Sequence, residues 1–248
     1  MRRSFKDNIH ITVYRQVVKF LMILKASKLA VEFRSTLHPD NKSPIKTMNQ
    51  DINQLESALA FTEEDAIGLS RVLHLALAEG AVTYSAVAAE VPEPEDSILA
   101  AWQWRMLIPA GSDSRNLAWE NAVLSFAPYT LLRMPLAVQL TVEQATLTGY
   151  WEPHRVLGDA CPILEGRPAK TAAELLRQMR FTAQDSVISA RNLGGIMKQL
   201  RLRGSLDQLI IELKAAGAIS PYLTSTLGTF SGTSPQYEIN PSLLRGLT

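Results

Sequence analysis

Cysteine is almost absent. Cys161 stands alone among 248 residues, so no disulfide closes within the chain and no thiolate-rich zinc spacing exists. Long apolar runs are missing as well. The longest early one, Phe20 to Leu24, is flanked by Lys19 and Lys25 and falls far short of the roughly 20 residues of a membrane span. It is also too short for a signal-peptide core. The histidines, at 10, 38, 74 and 154, are scattered, and His154 and Cys161 have no third or fourth metal ligand beside them. Cys161 precedes Pro162 and has no base partner for a nucleophile's role. The stretch Gly228 to Ser234 is rich in glycine and hydroxyls but lacks the lysine and the following helix of a phosphate-binding loop. Carboxylate pairs such as Glu63-Glu64 and Glu95-Asp96 stand at predicted helix starts, where they complement the helix dipole rather than forming an acid/base pair. These absences point to a cytoplasmic, non-enzymatic protein with no cofactor, no metal and no membrane span.

What is present is a strong segregation of charge beneath a net value of +1. Residues 1–50 carry 10 basic and 3 acidic side chains, residues 51–165 carry 5 and 16, and residues 166–248 carry 10 and 5. Such blocks suit different partners for different segments. The acidic middle should avoid polyanions, whereas the C-terminal block suits them.

Residues 1–47 differ from the rest. Val13, Val17, Phe20, Leu21 and Leu24 fall on one face of a candidate helix ringed by Arg15, Lys19, Lys25 and Lys28, and a polar linker follows from His38 to Pro44. A docking or membrane-surface helix, a DNA-contacting arm, and an appended extension with Met48 as an alternative start all fit that pattern.

Helical periodicity sharpens from Thr62. Thr62 and Asp65 have capping-box spacing, Ile67, Leu69, Leu73, Ala76 and Leu77 supply an apolar side, and Gly80 supplies a stop. A short helix over Tyr84–Glu90 and a third opening at Pro94, with Ile98, Leu99, Trp102 and Met106 inward, lead to a predicted hairpin. Its strands are Leu107-Ile108-Pro109 and Leu117-Ala118-Trp119, joined through the turn Gly111-Ser112-Asp113. Pro128 and Pro135 bracket a connector, a helix runs to a stop at Gly149, and Trp151–Pro168 reads as loop. Thr171 with Glu174 and Thr182 with Asp185 head two further predicted helices. The first carries Leu175, Leu176 and Met179; the second carries Val187, Ile188 and Ala190, giving way to Leu193; Gly194-Gly195 weakens a continuous helix there, and Ile196, Met197 and Leu200 resume the spacing before Gly204.

The clearest stretch is Ser205 to Tyr222. Ser205 and Gln208 form a capping box, Leu206, Leu209, Ile210 and Leu213 make one apolar stripe, and Gly217 ends the helix. Ala218-Ile219 and Gln236–Ile239 are strand candidates on either side of a polar loop. Helix, glycine stop, strand, loop, strand resembles the back half of a winged helix, and residues 62–119 share that order of elements. The resemblance implies a mainly α fold with short β-hairpins, built as tandem winged-helix-like domains joined by a helical connector. The expected boundaries are a basic arm at 1–47, an acidic winged-helix-like domain at 48–127, a connector at 128–166 and a basic winged-helix-like domain at 167–248.

In such modules the helix before the hairpin commonly enters the major groove, while Lys and Arg neutralise phosphates. Arg177, Arg180, Arg191, Lys198, Arg201 and Arg203 would form a basic platform, and Gln208 and Lys214 would reach bases. The acidic copy offers only Arg105 on its third helix, so it would contact protein or a second copy, with Trp102 or Trp104 at the interface. The expectation is a regulator bound to double-stranded DNA. The alternative is an assembly factor whose winged helices bind protein alone.

Overall fold

Short strands and longer helices alternate in a pattern that occurs twice. The computed structural model describes residues 44–110, 118–119, 122–222 and 234–247. The chain divides into the units Met1–Thr47 and Met48–Thr248, and the sheets and the hydrophobic core belong to the second. The first pattern follows α1 (Pro44–Ala58) and a 3-10 turn at Ala60–Asp65. It comprises α2 (Ala66–Leu77), β1 (Ala81–Thr83), α3 (Tyr84–Glu90), α4 (Pro94–Gln103), β2 (Ile108–Pro109) and β3 (Leu131–Arg133). Two helices, α5 (Leu136–Thr148) and α6 (Pro153–Ala160), lead through a 3-10 turn at Pro162–Leu164 to the second pattern. That one comprises α7 (Ala169–Thr182), β4 (Val187–Ser189), α8 (Ala190–Gln199), α9 (Leu206–Ala215), β5 (Ile219–Pro221) and β6 (Gln236–Ile239). The protein is therefore mainly helical, with two small antiparallel three-stranded sheets of order β1-β3-β2 and β4-β6-β5. In each sheet the last strand lies in the middle. No helix among the described residues is long and apolar enough to cross a membrane.

The same local chemistry starts the second helix of each pattern. The first strand ends on a hydroxyl residue, and that side chain caps the helix behind it. Thr83 Oγ1 accepts from the Ala86 amide at 3.3 Å, and Ser189 Oγ accepts from the Asn192 amide at 3.2 Å. Left-handed residues end the third helices: Arg105 (φ 54) beyond α4 and Gly217 (φ 70) beyond α9.

Several sequence expectations move. Thr62 does not cap a helix, because its hydroxyl donates to the Leu59 carbonyl at 2.8 Å inside the 3-10 turn, and α2 starts four residues later. Ile67 and Leu99, assigned to apolar faces, are exposed. The strand that closes the first sheet is Leu131–Arg133, in the stretch read as connector. Ala118 and Trp119 are buried instead, with the Trp119 amide donating to Ser220 Oγ at 3.1 Å. The turn at Gly111–Asp113, Leu117 and the loop at 223–233 lie outside the described residues.

Trp151–Pro168 contains α6 and a 3-10 turn rather than loop. Pro153 and Pro162 stand in their first turns, where a missing N–H breaks no helical bond. Thr171 and Glu174 form no capping box either: α7 opens at Ala169 behind Pro168, and Glu174 pairs with Arg177 and Gln178. Of the helix expected from Thr182, residues 187–189 form β4, whereas Ala190 and Leu193 do lie on a helix, α8, which runs unbroken through Gly194-Gly195. Asp185 and Ser186 take left-handed φ values of 49° and 63° and reverse the chain ahead of Val187-Ile188, a short apolar run whose period alone does not separate strand from helix.

The two patterns interlock. Asn240, fully buried just beyond β6, donates its amide to the Arg105 carbonyl at 3.0 Å and to the Gly217 carbonyl at 3.1 Å. It thus ties together the residues that end α4 and α9. Its Oδ1 accepts from the Ser242 amide and hydroxyl at 3.1 and 2.7 Å, so the side chain's hydrogen-bonding capacity is filled. Arg105 Nε lies 2.9 Å from Glu238 Oε1 on β6, and both side chains are largely sequestered from water. The Ala137 amide of α5 donates to the Ala216 carbonyl at 2.9 Å. Side chains from both patterns and from the helices between them form one continuous core.

Candidate functional site

The stretch expected to meet a partner, the turn from α8 into α9, is built around two anchors. Leu202 is buried, and Ser205 Oγ accepts from the Gln208 amide at 3.1 Å. Leu209, Ile210 and Leu213 face the core as their spacing predicts. The capping box is one-sided, because the Gln208 side chain turns away from Ser205 and donates to Glu212 Oε1 at 2.9 Å. Glu212 is buried. Its other oxygen accepts from the Ile163 amide in the 3-10 turn behind α6, and Cys161 Sγ lies 3.8 Å from the Glu212 carbonyl. One flank of α9 is therefore covered by the protein's own connector. Asp207, Gln208, Ile211 and Ala215 remain exposed, with Lys214 half-buried.

The predicted cations fall into three places. Arg177 on α7 forms an ion pair with Glu174, and Arg180 places Nη1 3.5 Å from the Leu244 carbonyl, a long contact at the end of a 3-10 turn, Pro241–Leu244. Arg191 opens α8 beside the base of the second sheet's loop, where its amide donates to Ser234 Oγ at 2.9 Å. Lys198, Arg201 and Arg203 are exposed at the end of α8 and in the turn before α9. Arg201 is left-handed (φ 51), and its carbonyl accepts from Arg167 Nη2 at 3.2 Å. Arg167 was missed by sequence reasoning; only its position beside Gly166, in the basic block, marked it.

Of the two tryptophans, Trp104 packs against the core. Both Trp102 and Trp104 are half-buried, and each has a guanidinium over its ring: Arg105 at 4.2 Å from the Trp102 centroid, Arg245 at 4.9 Å from that of Trp104. Trp104 also meets Phe61 edge-on, with centroids 5.2 Å apart. Among the described residues of the acidic section Val123, Phe126 and Tyr129 are exposed close together in the chain, in the approach to β3, besides Ile67, Leu99, Leu147 and Tyr150 elsewhere in it. Phe126 leans on Tyr84 of α3, with ring centroids 5.8 Å apart.

Cys161 is fully buried, and burial pushes its thiol well above the ordinary range, so it is held as an inert thiol. Burial lowers the His154 pKa below 6.5, against a weaker opposing pull from Glu152, and its Nδ1 has no hydrogen-bond partner. A histidine with a depressed folded pKa keeps its stabilising share above the unfolded value and loses it as pH falls through the folded one. Unfolding midpoints should therefore drop between about pH 7 and pH 5, and His154→Gln should flatten part of that slope. Parallel slopes in the two proteins would contradict this role for His154. Among the described residues, no group of three or more His, Cys, Asp or Glu side chains is placed to hold a metal ion.

The match to known families spans both patterns and the helices between them. The chain belongs to a protein family whose model matches residues 53–247. No curated protein and no solved structure matches it. The matched range begins inside α1 and ends beyond the Asn240 junction.

Proposed function

We propose that the chain is a tandem winged-helix protein that binds another protein, with its two modules locked into one body. The winged-helix reading is supported by the order helix, strand, helix, helix, strand, strand, found twice, each time with the last strand central. Among readings of such a fold, one observation carries protein binding over groove reading. On the flank of α9 that faces the 161–164 connector Glu212 is buried against Cys161 and Ile163, and the exposed Gln208 spends an amide hydrogen on Glu212. A recognition helix that reads bases needs those side chains free to reach into the major groove. The docking surface is the exposed apolar segment Val123, Phe126 and Tyr129, in a section of the sequence whose acidic charge repels nucleic acid.

A photo-crosslinking residue placed at Tyr129 should give a discrete protein adduct in cells of the native source, whereas one at the exposed Glu90 should give none. No adduct at Tyr129, or equal labelling at both positions, would remove that surface. A second reading, contact with duplex backbone phosphates, is supported by Arg191, Lys198 and Arg203, which are exposed and make no side-chain hydrogen bond or ion pair among the described residues.

A further inference from the structure

A cleft of about 510 Å³ opens between the 3-10 turn behind α6 and the start of α9. Its size lies in the range of small-molecule sites. Arg167 and Arg203 line it with Gln208, Glu165, Ile163 and Gly204. The two arginines stand 36 positions apart in the chain, on the two sides of the cleft that the buried contact of Glu212 with the Ile163 amide holds together. Arg167 is steadied by its bond to the Arg201 carbonyl, which uses one of its five N–H donors and leaves the others to a ligand. Arg203 is exposed and makes no hydrogen bond or ion pair among the described residues. Glu165, on the same cleft, is already partnered. The first-turn amide of Gln208 is taken by Ser205, so an anion would be held by the arginine side chains rather than by the helix end. Gly204 keeps the cleft open, since its φ of +101° excludes ordinary side chains and a Cβ there would lie 2.7 Å from Gln208 Oε1.

We infer that this cleft binds a phosphate group, held between the guanidinium groups of Arg167 and Arg203, from a small phosphate ester of about nucleotide size. Paired arginines suit phosphate because their planar forks donate two parallel charge-assisted bonds. The site is independent of the protein-binding reading, and either stands if the other fails.

Isothermal titration of the full chain with pyrophosphate and with ATP, at constant ionic strength, tests it. Saturable binding in the micromolar to low-millimolar range is expected, weakened about tenfold in Arg203→Ala and in Arg167→Ala, since each loses a charge-assisted pair. Both positions are exposed, so both variants should keep the wild-type unfolding midpoint. Competition by a short duplex would place the phosphate in a polymer backbone, and its absence would place it in a free small molecule. No saturable binding of either probe, or binding unchanged in the Arg167→Ala/Arg203→Ala double variant, would overturn the site.

Discussion

Replacing Asn240 by Ala should lower the unfolding free energy of the protein by about 3–4 kcal/mol, because the two buried Ser242 donors lose their partner at about 1–3 kcal/mol each, while the two part-buried carbonyls of Arg105 and Gly217 add less. The substitution removes little volume, so the loss is one of hydrogen bonding rather than of packing. Asn240→Asp is the sharper companion, since it keeps the shape and the acceptors but turns an oxygen toward the carbonyls of Arg105 and Gly217. It should cost at least as much as Ala. Because Asn240 joins the ends of α4 and α9, both patterns should unfold together, in one denaturant transition whose midpoint shifts at unchanged slope. A variant that loses only one pattern, seen as two separated transitions, would show that Asn240 does not couple them.

The second large effect belongs to Gly217. Its φ of +70° costs an alanine about 1–2 kcal/mol, and a Cβ there would lie 2.4 Å from Pro135 Cβ, which moves only with the start of α5. Gly217→Ala should therefore lose about 3 kcal/mol, strain and overpacking together. Gly149 separates the two contributions. Its φ of +72° is nearly the same, but the nearest atom to an added Cβ is a backbone oxygen at 4.0 Å. Gly149→Ala should lose only the conformational part, about 1–2 kcal/mol. Equal losses in urea denaturation would mean that the approach of α9 to Pro135 contributes nothing.

The parts of the fold that the sequence announces are those whose signal is local. Gly217 and Gly149 end helices where a left-handed residue is needed, Ser205 caps α9, and the stripe of Leu209, Ile210 and Leu213 faces inward. Tyr84–Glu90 is the helix that its pattern predicts. Signals that depend on a distant partner misled. Thr62 and Thr171 have capping spacing, yet Thr62 bonds back to Leu59, and a proline already stands before the helix that holds Thr171. Leu131–Arg133 is a strand only because Val82 and Pro109 flank its Leu132 from 50 and 23 positions away, a pairing that a three-residue run between prolines does not disclose.

The candidate site was legible in charge but not in geometry. The basic block holds exposed cations, but Arg177 is neutralised by Glu174 three residues before it. The i,i+4 spacing of Gln208 and Glu212 was the available sign that this face of α9 bonds within itself, although the burial of Glu212 comes from the distant Ile163. Asn240 carried one clue, an Asn-Pro pair after a strand, which marks a turn but not the two carbonyls it binds.

The most direct test of protein binding over groove reading is a fluorescence-anisotropy titration of a random DNA duplex with the full chain, over about 50 to 200 mM salt, where phosphate-driven affinity falls steeply. It compares the wild-type protein with an Arg191→Glu/Lys198→Glu/Arg203→Glu variant. If α9 faces the protein's own connector and the body serves to bind protein, the two isotherms should coincide at every salt concentration. Wild-type binding that weakens steeply with salt and disappears in the variant would contradict this, and would place the duplex against the turn from α8 to α9.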